Sequence, residues 1–424
     1  MNIRTLGEAI RKTESRFAER EAPRAEYLRR LEEGGVLAAD DPDRVEERLR
    51  RLRTDRPTAE AVQQGAVPAS DPGYVADPPG EVEGADIPVV PGETNYVALE
   101  RLLGSNNLIG VGFLEAGYRA SIPVGRIQVL NEQGGIATYG TGTLVSPRLL
   151  MTNNHVLPSP ETASLARVEF GYELDPEGAP RPSASFALEP DTFFVTDKGL
   201  DYALVAVAKR GADGAELAAL GWSRLIESTG KVIVGEFVNI VQHPNGEPKQ
   251  IAVRENQVID LLEKFLHYQA DTAQGSSGAP VFNDQWEIVA LHHSGVPRRN
   301  EQNEILALGG EKWQRAMGEH RIDWVANEGA RISRVVAHVK KAKLTAKQKK
   351  LRAGIFDAEP PLRPDAAEAP GREALVTVAG GREAVPGARD GDVVVTVPLE
   401  ITIRMPAVGD GPASPAPRRR RSSR

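Results

Sequence analysis

The chain has 424 residues and a formal net charge of −7, from 52 basic and 59 acidic side chains. This length accommodates two or three domains, and the charge gives no overall electrostatic case for a nucleic-acid or anionic-membrane partner. No cysteine is present, which excludes disulfides, thiolate metal sites and a cysteine nucleophile. We expect neither a cofactor nor a metal.

The N-terminal segment, residues 1–56, predicts two or three exposed helices. Leu6, Ile10 and Phe17 recur at helical spacing among closely mixed charges. The segment lacks the apolar core of a secretory signal and no long uncharged apolar run follows, so we expect a cytoplasmic chain. Residues 57–94, rich in Pro, Gly and acidic side chains, predict a flexible linker.

Between about residues 125 and 294, short β-type runs alternate with turn signals. Examples are "GRIQVL", "IATYGTGTLV", "KVIVGEFVNIVQH" and "EIVALHH". Many short strands without regular intervening helices predict an antiparallel sandwich or barrel, and therefore an all-β core. The boundaries that follow are the helical extension (1–56), the linker (57–94), the main domain (95–345), a helix end and second linker (346–372), a small β element (373–406) and a disordered basic tail (407–424).

A basic C-terminal helix or helix pair is predicted over residues 330–352. It would pack Val335, Val336 and Val339 inward with its lysines in solvent; a patch for nucleic acid or an acidic partner is the alternative. We expect no nucleic-acid partner. The β element beyond it is too small to fold alone, and the four arginines near the end are either disordered or a docking signal.

Three segments each place a polar side chain at the edge of a β run. His155 ends "GTGTLVSPRLLMTNNHVL", Asp201 begins "DYALVAV", and two adjacent serines lie in "GSSGAPVFN". Each residue alone is typical of a structural role, but the order His, Asp, Ser matches a known convergent triad. A serine hydroxyl needs an imidazole to take its proton, here His155, and a carboxylate to orient that imidazole, here Asp201.

These motifs resemble those of chymotrypsin-like (trypsin-fold) serine proteases over roughly residues 120–330. The closer similarity is to the bacterial branch of glutamyl endopeptidases and cytoplasmic trypsin-like peptidase domains. The resemblance implies a double β-barrel of two six-stranded barrels, flanked here by the helical extension, the C-terminal helix and the small β appendage. In Gly-x-Ser-Gly-x-Pro it makes Ser277 the nucleophile, not Ser276, and assigns the oxyanion hole to the N–H groups of Gly275 and Ser277.

The sequence also departs from the animal trypsins. Ser276 stands where they carry the aspartate that pairs with a new N-terminus. Only 28 residues separate Ile127 from His155, too few for the hairpins that precede this histidine in trypsins. We therefore interpret residues 125–130 as the first barrel strand and do not expect activation by an inserted N-terminus.

The specificity pocket gives conflicting signals. Asp271, six residues before Ser277, has the spacing of the trypsin carboxylate that binds Arg or Lys. Thr272 and His292 resemble the threonine and histidine with which glutamyl endopeptidases accept an acidic residue. Of the two, a basic residue before the scissile bond is our expectation. His292 and His293 also fit strand residues satisfied by the backbone. The predicted substrate-binding residues are Asp271, Thr272, Gln274, His292, Ser294 and Gly295.

The sequence thus predicts a serine endopeptidase that hydrolyses protein substrates through an acyl-enzyme on Ser277. We expect it to be regulated inside the cell, with the N-terminal helices contacting an upstream activator or sensor protein. The alternative is a catalytically silent protease-fold module that binds peptides or acts as an adaptor.

Overall fold

The computed structural model of the protein describes residues 3–52, 54–64, 109–253, 255–318 and 321–360. Several predicted segments lie wholly or partly outside these described residues: the linker 57–94, the start of the main domain at 95–108, the second linker within 346–372, the β element 373–406 and the tail 407–424. Within the described ranges, no helix is long and apolar enough to cross a membrane.

The N-terminal region forms helices whose ends are set by local sequence. Asp41 accepts a hydrogen bond from the Asp43 N–H and is followed by Pro42, which begins one helix; Asp55 caps another in the same way. Gly35, at φ +70°, separates two others. The helices are α1 (Ile3–Glu19), α2 (Glu21–Gly34), α3 (Val36–Ala39), α4 (Pro42–Arg51) and α5 (Arg56–Gln63).

These helices pack on the β domain, which differs from the exposed helices expected over residues 1–56. The apolar residues of α3, α4 and α5 meet in one buried cluster, and the residues four apart on α4 face the same side of that helix. Helix α5 also runs to Gln63, so the first residues of the predicted linker are helical. The cluster includes Val36, Leu37, Val45, Leu49, Ala59 and Val62 of the helices and Ile233 of the β domain.

The first sheet has seven antiparallel strands in the order β5-β4-β1-β2-β3-β7-β6. Helix α6 (Gly112–Ser121) precedes it, and α7 (Pro160–Ser164) lies between the third and fourth strands. The first strand covers residues 125–130, as predicted. The strands are β1 (Val124–Leu130), β2 (Ile136–Leu144), β3 (Leu149–Thr152), β4 (Ala166–Phe170), β5 (Ala184–Ala187), β6 (Phe194–Asp197) and β7 (Tyr202–Ala206).

The second sheet also has seven antiparallel strands, in the order β10-β11-β14-β13-β12-β8-β9. The run "KVIVGEFVNIVQH" is strand only over its last part, since Gly235 at φ +97° breaks the extended backbone. The strands are β8 (Asn239–Gln242), β9 (Gln250–Ala252), β10 (Val258–Leu261), β11 (Phe265–Tyr268), β12 (Pro280–Phe282), β13 (Ile288–Pro297) and β14 (Trp324–Arg331).

Helices α8 (Ile332–Lys341) and α9 (Ala346–Phe356) follow the last strand. Val335, Val336 and Val339 of α8 are buried in a core that also holds Met151 of the first sheet and Leu291 of the second. The predicted inward face of this helix is therefore confirmed. The two sheets form the chymotrypsin-like double β-barrel, with seven strands in each sheet rather than six.

Candidate active site

His155 and Asp201 meet because their strands are neighbours. In the antiparallel register of β3 and β7, Thr152 lies opposite Ala203, so the residues just after β3 face those just before β7. His155 Nδ1 lies 2.7 Å from Asp201 Oδ2, and the His155 backbone N–H donates to Asp201 Oδ1 at 3.0 Å. One carboxylate thus holds both the ring and the backbone of the histidine.

The Asp201 carboxylate is stabilised in its charged form. Its side chain is 9% exposed. Burial alone would raise its pKa, but the charges and hydrogen bonds of His155 and His293 hold the pKa of Asp201 well below its usual range. Asn153 Nδ2 donates to the Asp201 carbonyl at 2.8 Å, which helps fix a backbone at φ +51°. Asp201 is therefore a fixed acceptor for the imidazole.

The loop that carries the two serines requires its glycines. Gly275 and Gly278 have φ of +98° and +87°, where a side chain is strained. A Cβ at Gly275 would lie 2.5 Å from the His243 carbonyl oxygen, and one at Gly278 would overlap Thr141 and Thr152. The Gly-x-Ser-Gly spacing is thus explained by backbone geometry.

The two serines have different environments. Ser276 is fully buried, and its Oγ accepts from the Ala273 N–H at 3.1 Å. Ser277 is partly exposed, and its hydroxyl forms no hydrogen bond with any residue that the structure describes. Of these two serines, Ser277 is the one whose hydroxyl is partly exposed and has no hydrogen-bond partner among the described residues.

The serine loop lies next to the end of β3. The Thr141 N–H donates to the Ser277 carbonyl at 2.8 Å, and Gly278 contacts Thr152, three residues before His155. His155 Nε2 is buried, and no described residue hydrogen-bonds to it, Ser277 included. Catalytic hydrogen bonds are often formed only when substrate is present, so this nitrogen remains a candidate base for the Ser277 hydroxyl.

The predicted oxyanion donors have the required freedom. Among the described residues, no backbone carbonyl accepts from the N–H of Gly275 or Ser277. The neighbouring carbonyls are held elsewhere: Thr141 Oγ1 donates to Gly275 O at 2.8 Å, and the Asn245 N–H donates to Gln274 O at 2.5 Å. Two unpaired donors beside the candidate nucleophile are what a tetrahedral oxyanion would need.

The predicted pocket residues differ in burial. Asp271 is exposed and only its backbone carbonyl is fixed, by Gln242 Nε2 at 2.9 Å, so its carboxylate does not form a buried pocket base. Thr272 Oγ1 bonds to Asn327 Oδ1 at 2.7 Å. His292 is 4% exposed, and its Nδ1 lies 2.7 Å from the Tyr268 hydroxyl.

His292 is neutral at physiological pH. Burial, and then the positive charge of His293, lowers the pKa of His292 to about 3.

The remaining predicted pocket residues have different environments. Gln274 is exposed, and Ser294 Oγ donates to the Gly295 carbonyl at 3.3 Å. Gly295 is packed so closely that a Cβ would lie 2.6 Å from the Trp324 ring.

Sequence reasoning missed the side-chain partners of His293. Its Nδ1 lies 3.1 Å from Asp201 Oδ2 and its Nε2 lies 2.7 Å from Glu328 Oε1. The interpretation of His292 and His293 as strand residues satisfied by the backbone is therefore wrong for both rings. The sequence did contain one signal for such a partner, which is the glutamate in the otherwise uncharged strand segment "WVANEGA".

Comparisons with known proteins find similarity over part of the chain. The family described as a trypsin-like peptidase domain matches residues 140–291. An uncharacterised protein, y4fB, of Sinorhizobium fredii is 40% identical over 267 residues, covering 58% of this chain and 40% of that protein. A glutamyl endopeptidase of Staphylococcus aureus is 25% identical over 187 residues, 44% of this chain and 54% of that protein. The chain therefore spans about half or less of these relatives.

Among solved structures, the active form of the Rv3671c protease from M. tuberculosis aligns with a TM-score of 0.36 and 15% identity, covering 55% of this chain and 87% of that one. The family match contains all three residues His155, Asp201 and Ser277. Over this segment, the chain is therefore similar to trypsin-like peptidase domains.

Proposed function

We propose that the protein is a serine endopeptidase that hydrolyses peptide bonds through an acyl-enzyme on Ser277. The observation that carries the proposal is the 2.7 Å contact of His155 Nδ1 with buried Asp201, beside a serine loop in which only the Ser277 hydroxyl is unpaired. With its Nδ1–H donated to Asp201, His155 has an unprotonated Nε2 that can act as a base.

The reaction then has two halves. His155 Nε2 takes the Ser277 proton as Oγ attacks the carbonyl carbon, and the oxyanion accepts hydrogen bonds from the N–H groups of Gly275 and Ser277. The carbon–nitrogen bond breaks as His155 gives its proton to the leaving amine. A water, deprotonated by the same nitrogen, then releases the acyl group and restores the serine.

For the residue before the scissile bond, we propose an acidic side chain. Asp271 is exposed, whereas the basic preference expected from the sequence needs a buried carboxylate. Tyr268 has His292 Nδ1 as its partner, and a neutral tyrosine that donates to Nδ1 leaves the proton on His292 Nε2. That N–H is a donor suited to a substrate carboxylate, and the relatives named glutamyl endopeptidase support the same class.

A fluorogenic peptide series with Glu, Gln or Arg before the scissile bond tests this preference. We expect the Glu peptide to have the highest kcat/KM and expect His292→Leu to abolish the preference for Glu over Gln. A highest kcat/KM for the Arg peptide would instead support the basic preference and a role for Asp271.

Labelling with a fluorophosphonate tests the activity itself. The probe should modify the unaltered protein once, at Ser277, and Ser277→Ala should prevent labelling and lower peptide turnover by a factor on the order of 10⁶. Ser276→Ala is the matched control: it loses one buried hydrogen bond, costing stability of about 1 kcal/mol, and should still be labelled. Failure of labelling in the unaltered protein would favour the silent binding module.

The cytoplasmic location and an activator that acts through the N-terminal helices stay predictions.

A further inference from the structure

Asp201 has a second histidine partner that a three-residue triad does not require. His293 on β13 is 2% exposed, and its two ring nitrogens lie 3.1 Å from Asp201 Oδ2 and 2.7 Å from Glu328 Oε1. An ionised carboxylate only accepts hydrogen bonds, so each ring nitrogen must donate. A histidine that donates from both nitrogens is an imidazolium.

Glu328 on β14 is fully buried and is held by helix α1. It accepts from Thr13 Oγ1 at 2.8 Å and from Arg16 Nε at 2.9 Å, and a second N–H of Arg16 donates to its other oxygen. His267 Nε2 on β11 lies 2.9 Å away. The forked guanidinium fixes both oxygens of the carboxylate, which a lysine ammonium could not do in the same way.

The charges in this chain of contacts alternate. Two buried carboxylates, Asp201 and Glu328, are matched by two cations, His293 and Arg16. Burial alone would lower the pKa of His293, but its hydrogen bonds to Asp201 and Glu328 raise it to about 9. Burial would raise the pKa of Glu328, but Arg16, His267 and His293 hold it well below its usual range.

Titratable groups from three parts of the fold surround His293. From the first barrel, Asp201, His155 and Lys198 face this region, and from the second barrel Glu328, His267 and His292 do so. Helix α1 adds Glu8, Lys12 and Arg16, which line a small cavity beside Asp201 and His293. The two carboxylates that His293 contacts are the nearest anions that can keep its ring charged.

We propose that His293 is a positioning residue for the hydrolysis, held as a doubly donating imidazolium by Glu328 and, through Glu328, by Arg16 of helix α1. His293 fixes Oδ2 of Asp201, and Asp201 fixes the ring of His155. Helix α1 is then part of the apparatus that orients the triad, although it supplies no reacting atom. This inference rests on the proposed nucleophilic role of Ser277.

Two variants of the 424-residue chain test the proposal. Glu328→Gln keeps the shape of the side chain but removes the charge that holds His293 protonated, and Arg16→Met removes the cation that fixes Glu328. Arg11→Met is the matched control, because Arg11 is an exposed arginine on the same helix. The rate of fluorophosphonate labelling is measured against pH, thermal unfolding checks the fold, and NMR of the histidine rings reports the protonation of His293.

We expect Glu328→Gln and Arg16→Met to label about 10- to 100-fold more slowly at neutral pH, and Arg11→Met to label at the unaltered rate. The His293 ring should stay protonated up to about pH 8 in the unaltered protein and lose its proton at lower pH in Glu328→Gln. The alkaline fall in labelling rate should move down in pH with it, which a purely structural role would not produce.

The possible failures are distinguishable. Unchanged labelling of Glu328→Gln, with its His293 neutral at pH 7, would overturn the positioning role and leave the proposed function intact. Absence of labelling in the unaltered protein would overturn the proposed function and the positioning role together. If Arg16→Met does not fold, Glu328→Gln decides the question, because its amide can still accept from Arg16 and Thr13.

Discussion

Replacing Arg48 by methionine tests how firmly helix α4 belongs to the β domain. Arg48 is 2% exposed, and its Nε and Nη2 lie 3.0 and 2.7 Å from Glu236 Oε1. Methionine keeps the apolar stem but leaves the buried Glu236 carboxylate without its cation. Removing one partner of a buried ion pair costs about 3–5 kcal/mol, and we expect that loss in the free energy of unfolding at neutral pH.

The loss should depend on pH through Glu236. Burial raises the pKa of Glu236 above its ordinary value of 4.5, although Arg48 and the Ile233 N–H oppose this. Without Arg48 the pKa rises further, so the folded variant holds the proton to higher pH than the unfolded chain does. Its stability therefore falls as pH rises from about 4.5 through the raised pKa, and the deficit should be larger at pH 7 than at the acidic end of this range.

Urea unfolding of the variant and the unaltered protein at pH 7 and at about pH 4.5 measures the loss in the free energy of unfolding. Arg50→Met, an exposed arginine on the same helix, is the control and should stay within about 0.5 kcal/mol of the unaltered protein. The double variant Arg48→Met with Glu236→Gln should recover part of the loss at pH 7. An Arg48→Met deficit no larger than that of Arg50→Met, or equal at the two pH values, would refute the reasoning.

Two further predictions concern the site. Gly278→Ala should abolish fluorophosphonate labelling and lower the Tm, because a Cβ there would overlap Thr141 and Thr152. Gly134→Ala is the control: its φ is similar but the space around it is open, so it should lower the free energy of unfolding by only about 1–2 kcal/mol. Labelling of Gly278→Ala would contradict this reasoning. Tyr268→Phe, which removes the donor to His292 Nδ1, should lower kcat/KM for the Glu peptide about tenfold more than for the Gln peptide; equal losses would argue against a carboxylate-binding His292.

The similarity to a trypsin-like peptidase domain and the positions of the three candidate catalytic residues could be predicted because their signals are local. His155 and Asp201 lie within a few residues of the strands that position them, and Gly275 and Gly278 are required by the same short loop that carries Ser277. The position of each of these residues is therefore determined mostly by a short segment of the sequence around it. The double barrel could be predicted from the same short segments together with the family resemblance.

The rest of the site depends on contacts that no local pattern records. Arg16 and Glu328 are 312 residues apart, and nothing in the amphipathic pattern of helix α1 indicates which strand it covers. Asp271 has the spacing of a pocket base, but its side chain lies in solvent. Spacing along the chain fixes the loop on which a residue lies, while burial depends on neighbours from distant segments.

The contact between helix α1 and Glu328 also has a consequence for the order of synthesis. Helix α1 leaves the ribosome before either barrel, and its partner Glu328 is translated 312 residues after Arg16, a wait of about 15–60 s at 5–20 residues per second. During that interval His155, Asp201 and Ser277 have all been made, but Glu328 has not. A nascent chain thus holds every proposed reacting group before it can complete the charge network around Asp201, so under the proposed mechanism Asp201 is fully positioned only when the last strand of the second barrel is in place.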